Sequence, residues 1–455
     1  MPEHPLPNDD LDLQLVWLRA LETYGERLGP DEMARSFLAA VDCHWDEYGV
    51  ALRNLRDGLK PPLSGKHNNF FHNGLGAAIR SEIWACVFPG APETAAYYAM
   101  LDATIDHSGD GVYAEVFNAA AESALLGGAT LDEALDAGKR LLPERSLLKR
   151  MYRRLDQLYR AHHDFRLLHK LVVENYASVN FTDCVMNGGF VYSALLAGEG
   201  DFERTVLLAV NCGQDTDCTA ATAGAMIGAL HGRKAIPSRW SEVVDDRIAV
   251  GDYLHLDRLP GTVSELAERV VRLAESFRRV GAEHLPRLKD GWDVPECGEY
   301  GERRECLVNG VLRRFDGMKL DLDAMPGLVG HPVLVTGEFA LPEETAEANL
   351  LAATRGIFRL WIDGVLAAVK GDQAEVVPAP HRVRGGRLVA LDLRRKKKFR
   401  FTIEIAPTEP VPELYLNLFD WQNRHIKARW TAPEAGGEVG NGSERDASVL
   451  STQTA

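Results

Sequence analysis

The chain has no apolar run long enough to span a bilayer. Every hydrophobic stretch is broken by Gly, Thr or a charge well short of about 20 residues. Its opening, MPEHPLPNDD, lacks the basic and apolar regions of a secretory signal. Basic charge is also in short supply: 51 Lys and Arg stand against 66 Asp and Glu, a formal net charge of −15. Gripping nucleic acid or an anionic membrane requires clustered cations, so neither is expected as a partner. Cysteine is sparse, seven in 455 residues, odd in number and without paired spacing. That excludes a disulfide framework and predicts reduced thiols in a cytoplasmic protein.

What is present divides in two. From residue 9 to about 283 the periodicity is helical: Leu11, Leu15, Leu18 and Leu21 recur at helix spacing ahead of Gly25, a C-terminal cap. Further helices are expected over 32–48, 93–105, 112–126, 144–159, 202–210 and 263–280. Residues 284–315, rich in Gly, Pro, Glu and Arg, read as a connector. Alternating runs follow at 333–339, 356–362, 387–393, 398–405 and 413–419, the period of half-buried strands. The expected architecture is multidomain: an all-α bundle over 1–283, then a β-sandwich, jelly-roll-like, over 316–432. A polar, disordered tail is expected over 433–455. Trp361, Trp421 and Trp430 are candidate stacking platforms for sugar rings, which would make the second domain an accessory carbohydrate binder, or else ordinary sandwich core.

The chemistry concentrates at two acidic clusters. In NCGQDTDCTAATAGAMIGALHG (211–232), Gly213–Gln214 predicts a turn, and Asp215 and Asp217 open a helix. Ala221, Gly224, Ala225 and Gly228 share one face of that helix, which predicts close approach by a neighbour and a central position in the bundle. Buried carboxylates need a partner. A cap plus an arginine salt bridge is one reading, but the window holds no Lys or Arg before Arg233. An oxygen-ligand cation (Mg²⁺, Mn²⁺ or Ca²⁺) is the better partner. Cys212 and Cys218 alone are a poor argument for zinc. Asn8-Asp9-Asp10 repeats the arrangement ahead of the first helix. Together the four aspartates can hold two hard cations about 3.5–4 Å apart and lower the pKa of a water between them.

The second cluster resembles the C-terminal metal motif of the ADP-ribosylglycohydrolase family, in which G-x-D-T-D-T opens a small-residue helix. NDDL at 8–11 is similar to that family's earlier T-D-D-T motif. Asn73-Gly-Leu-Gly-Ala-Ala-Ile-Arg80 resembles its substrate loop and helix, and Ile105-Asp-His107 its T-H motif. The resemblance spans roughly residues 8–255. It implies an all-α domain with two Mg²⁺ or Mn²⁺ ions that hydrolyses the bond from ADP-ribose to a protein side chain or small acceptor. Carried onto this chain, the metal ligands are Asn8, Asp9, Asp10, Asp215, Asp217 and Cys218, with Asp10 and Asp215 the candidate catalytic carboxylates. Asn73, Gly74, Gly76, His107 and Asn187 are the candidate substrate contacts. Asn8 and Cys218 stand where the family usually has threonine, and a thiol is a poor ligand for a hard cation. The resemblance also implies a helix ahead of the first motif, carrying a carboxylate that positions water; seven residues precede Asn8.

Gly74 and Gly76 would let backbone amides approach a pyrophosphate, or would simply form a turn. His107 is read as a substrate or proton-transfer group or a structural histidine, Arg80 as a phosphate contact or an ion-pair partner. Asn187-Gly188-Gly189 reads as a loop, either at the cleft or as a plain turn. The overall acidity suits a neutral glycoside or nucleoside at least as well as a diphosphate. A non-catalytic ADP-ribose- or sugar-binding protein is the alternative of a different class.

Overall fold

A computed structural model describes residues 5–242, 246–294 and 303–433. The chain forms two compact units, Met1–Tyr300 and Gly301–Ala455. The described part of the first holds fifteen α-helices and no helix long and apolar enough to cross a membrane. The expected tail at 434–455 lies outside the described residues.

The first helix, Asp9–Tyr24, begins where Asn8 is extended and its side chain accepts from Asp10 N, an N-cap bond. It ends at Gly25, whose φ of 56° few other residues adopt. Leu13, Leu15, Val16, Trp17, Leu18 and Leu21 are buried in one core cluster, with residues from the helices Pro30–Ala40, Asp46–Arg56, Pro92–Ala103 and Val263–Val280. A second cluster gathers Asp110–Leu126, Leu147–His162, Cys184–Gly198 and Thr216–His231. The two acidic clusters thus start helices belonging to different cores.

Three expectations are corrected. The helix expected over 32–48 is two, because Val41 is extended, pairs with Leu254, and Asp42 N donates to Tyr253 O (2.8 Å). This tertiary pairing overrides local propensity. The Ala221/Gly224/Ala225/Gly228 face is exposed to half-buried, and a Cβ on Gly228 would touch nothing within 4 Å. The packed face is Cys218, Thr219, Thr222, Ala223, Met226 and Ile227. The connector is shorter than 284–315. Leu288 and Val294 are buried in the helical core, and Trp292 Nε1 donates to Leu141 O. At the other end 303–308 and 311–316 are strands, joined at Asn309-Gly310, where φ is positive at both residues.

The described part of the second unit has eleven strands: β1 (Arg303–Val308), β2 (Val311–Asp316), β3 (Lys319–Leu320), β4 (Val333–Ala340), β5 (Asn349–Thr354), β6 (Phe358–Ile362), β7 (Val365–Lys370), β8 (Gly386–Ala390), β9 (Lys398–Ile405), β10 (Leu414–Phe419) and β11 (Arg429–Thr431). One antiparallel sheet runs β2-β1-β4-β9-β6-β7 with β11 beside β4; the other runs β3-β10-β5-β8. Val335, Leu360 and Phe401 of the first and Leu350, Leu414 and Leu416 of the second share one buried cluster, the core of a β-sandwich. Asp363 and Gly364, both at positive φ, turn β6 into β7.

Trp430 is not a stacking platform. It is buried against Phe339 (5.1 Å between centroids) and Phe401 (5.8 Å), with the Arg304 guanidinium 4.7 Å from its ring. Trp361 is half-buried and Trp421 exposed. Trp430→Ala should therefore destabilise the C-terminal unit by about 3–5 kcal/mol. Urea unfolding followed by tryptophan fluorescence checks this, with Trp421→Ala as the near-neutral control.

Candidate metal centre

Asp9 and Asp10 occupy the first turn of Asp9–Tyr24; Asp215 precedes and Asp217 opens Thr216–His231. The fold brings the two pairs together. Asp217 adds like charge to both Asp9 and Asp10, and Cys218 is perturbed by Asp10, Asp215 and Asp217 alike. One ligand atom from each of Asp215, Asp217 and Cys218 lies within 4.8 Å of the others.

Burial first, and then repulsion from Asp9, Glu82 and Asp217, pushes the Asp10 carboxyl up to about 8. Asp215 rises to about 7, again mainly by burial, with Asp217 adding to it and the Cys218 thiol donating against it. Asp9 is raised by burial, opposed by the Tyr48 hydroxyl that donates to its Oδ2 (3.2 Å). Asp215 makes no side-chain cap bond. Among the described residues no Lys, Arg or His forms a salt bridge with any of the four, and both Asp10 oxygens are buried without a partner. A divalent oxygen-ligand cation fits this donor set. The Cys218 thiol, pushed far up by burial and three carboxylates, is a proton donor to Asp215 rather than a thiolate. Cys212, in the turn after Phe202–Val210, donates from Sγ to Leu208 O (3.4 Å).

The remaining candidates have other partners. The Asn8 side-chain oxygen holds Asp10 N (2.8 Å). Asn187 is in the helix Cys184–Gly198, not a loop. It is fully buried, its Nδ2 donating to Phe181 O (2.7 Å) and Asp183 O (2.9 Å) while its Oδ1 accepts from Asp215 N (3.3 Å). It therefore fixes the entry to the second acidic helix. The Asn73 side chain accepts from Gly111 N (3.3 Å). The Gly76 amide already serves an anion of the protein itself, donating to Glu47 Oε1 (3.1 Å). A Cβ on Gly76 would overlap that oxygen and approach Tyr48 Oη at 2.6 Å, so only glycine fits.

Arg80 and His107 take the ion-pair and structural readings, within a network whose acids the sequence did not connect to them. His107 is fully buried, its Nδ1 2.6 Å from Asp106 Oδ1 and its Nε2 3.5 Å from Glu47 Oε1. Burial alone would depress it, but the two carboxylates raise it to about 9, so it is an imidazolium at neutral pH. Arg80, also fully buried, binds Asp102 Oδ1 (2.7 Å), both Asp106 oxygens (2.8 and 2.9 Å) and Gly76 O (3.0 Å). Against its burial, Arg80 and His107 hold Asp106 down to about 2. Asp106, adjacent to His107, was visible in the sequence; Glu47 carried no signal, since nothing local ties it to Gly76.

Between pH 4 and 8 the folded chain keeps protons on Asp10 and Asp215 that the unfolded chain releases. Metal-free stability should therefore fall as pH rises through that window. Cations compete with those protons, so saturating Mg²⁺ or Mn²⁺ should raise Tm more at pH 8 than at pH 5. In Asp10→Asn that difference should shrink; scanning fluorimetry at both pH values checks it.

The sequence profile of the ADP-ribosylglycohydrolase family matches residues 3–280. A relative from Archaeoglobus fulgidus, described as an uncharacterized protein, is 27% identical over 268 residues, 56% of this chain and 72% of its own. Among solved structures, a family GH115 4-O-methyl-alpha-glucuronidase with specificity for decorated arabinogalactans aligns over 72% of this chain at 11% identity. This chain covers 44% of that protein, and a TM-score of 0.17 carries no argument. The family match covers more than half of the chain, both acidic clusters and the helices that start at them. The chain belongs to the ADP-ribosylglycohydrolase family, which supports a glycosyl hydrolase-like function.

Proposed function

We propose that the helical unit is a metal-dependent hydrolase that cleaves a glycosidic bond at an anomeric carbon, with an ADP-ribosyl group as the substrate class. The observation that carries this reading is the convergence of four carboxylates, two of them pushed to about 7 and 8, with no basic partner among the described residues. Asp9, Asp10, Asp215 and Asp217 would hold two Mg²⁺ or Mn²⁺ ions. When bound, such ions supply Lewis acidity and lower the pKa of a nearby water. Asp10 and Asp215 border the reacting centre, where their charge favours an oxocarbenium-like transition state. The thiol of Cys218 holds Asp215 in place, and Tyr48 holds Asp9.

One observation favours a second reading, a sugar without the pyrophosphate. Arg80 is fully enclosed by Asp102 and Asp106, and the Gly76 amide is engaged by Glu47, so neither faces a diphosphate.

The test is metal content and turnover of the purified chain beside Asp215→Ala and Asp217→Ala. Substrates are an ADP-ribosylated peptide and a nitrophenyl ribofuranoside. About two ions per chain are expected, with turnover falling by roughly two orders of magnitude in each variant. Turnover of the ribofuranoside alone selects the second reading. Unchanged turnover in both variants, or metal and ADP-ribose binding without any hydrolysis, overturns the proposal.

A further inference from the structure

The helical unit holds a concavity of about 810 Å³. Its walls are the helix Glu82–Val87 with the turn after it, and one side of Val263–Val280. The latter helix lines it from Val263 to Arg278, about 22 Å at ~1.5 Å per residue. The lining is largely apolar, with Val270 and Phe277 buried and Val263 and Val271 about half exposed. The volume lies within the roughly 300–1,000 Å³ usual for small-molecule sites.

Glu275 and Arg278 are exposed at the rim. The other polar lining is Gln14 and Glu82, which meet each other: Gln14 Nε2 donates to Glu82 Oε2 (3.0 Å). Glu122 lies close by, 2% exposed; Ser81 Oγ donates to its Oε2 (3.1 Å), and its Oε1 is buried without a partner. Cys86 lines the cavity and is exposed within it. Among the described residues neither glutamate forms a salt bridge. An apolar trough therefore ends at the Glu82 carboxyl, which burial raises to about 7 and which has no cation paired to it among the described residues.

We infer that this cavity binds an amphiphilic amine, its aliphatic or aromatic body along Val270 and Phe277 and its cationic head against Glu82. An anionic amphiphile would meet the Glu82 carboxyl, and a neutral one would leave it without a counter-charge. Gln14 Nε2 also donates to Asp10 O (3.0 Å), so the floor of this cavity is one side chain from the acidic centre.

The full chain is to be loaded with the neutral fluorophore N-phenyl-1-naphthylamine and titrated with n-octylamine, n-octanol and n-octanoate. Octylamine should displace the fluorophore at a concentration at least about tenfold below octanol, and octanoate should be weakest. Glu82→Gln should abolish the amine preference and leave octanol unchanged. Val271→Trp, at an exposed position on the wall, should block fluorophore binding with Tm preserved; Ala267→Trp is the second blocking variant. Absence of fluorophore binding to the folded chain, equal potency of amine and alcohol, or a preference that survives Glu82→Gln overturns the inference. So does concentration-dependent dimerisation that either tryptophan variant removes, because the occupant is then a second copy.

Discussion

Four carboxylates gathered on two helix starts, without a basic side chain paired to them among the described residues, are the constraint around which the helical unit is organised. Left as they are, they repel one another, and burial with that repulsion raises Asp10 to about 8 and Asp215 to about 7. Hydrophobic burial holds them there. Trp17, Leu18 and Leu21 anchor one helix and Ala223, Met226 and Ile227 the other, each in its own core cluster. The charged ends meet because the apolar stripes behind them are fixed.

The neighbouring acids show the opposite solution. Asp102 and Asp106 are fully buried as well, yet Arg80 bridges them and His107 joins Asp106 to Glu47. Two buried cations serve that group, and Asp106 falls to about 2, while burial keeps Asp102 and its neighbour Glu115 raised. One acidic group in this domain is thus neutralised by the protein, while the other depends on protons or on an external cation. Gly76 sits between the two, donating to Glu47 with Tyr48 packed beside it, and Tyr48 in turn reaches Asp9.

Local signals proved legible where local physics decides. The Asn8 cap, the Gly25 stop, the alternation in β9 and the Asp363-Gly364 turn each depend on a few adjacent residues. The aspartates could be read too, because a charge pair without a nearby cation is visible in sequence. Tertiary choices could not. Val41 leaves its helix to pair with a residue more than two hundred positions away, and the Ala/Gly face of Thr216–His231 stays at most half-buried, Gly224 facing Val206 and Phe202, while the larger Met226 and Ile227 fill the core. Glu47 and Glu82 gain their roles from distant partners, Gly76 and Gln14, that no spacing rule connects.

The most direct test of the central claim is to titrate the metal-free chain with Mn²⁺ and follow the electron paramagnetic resonance signal. If the four aspartates form one paired site, the six-line spectrum of free Mn²⁺ stays suppressed for the first two equivalents, and a spin-coupled signal grows in their place. A full free-ion spectrum from the first equivalent would contradict the account and leave the aspartates as helix-end residues that hold no metal.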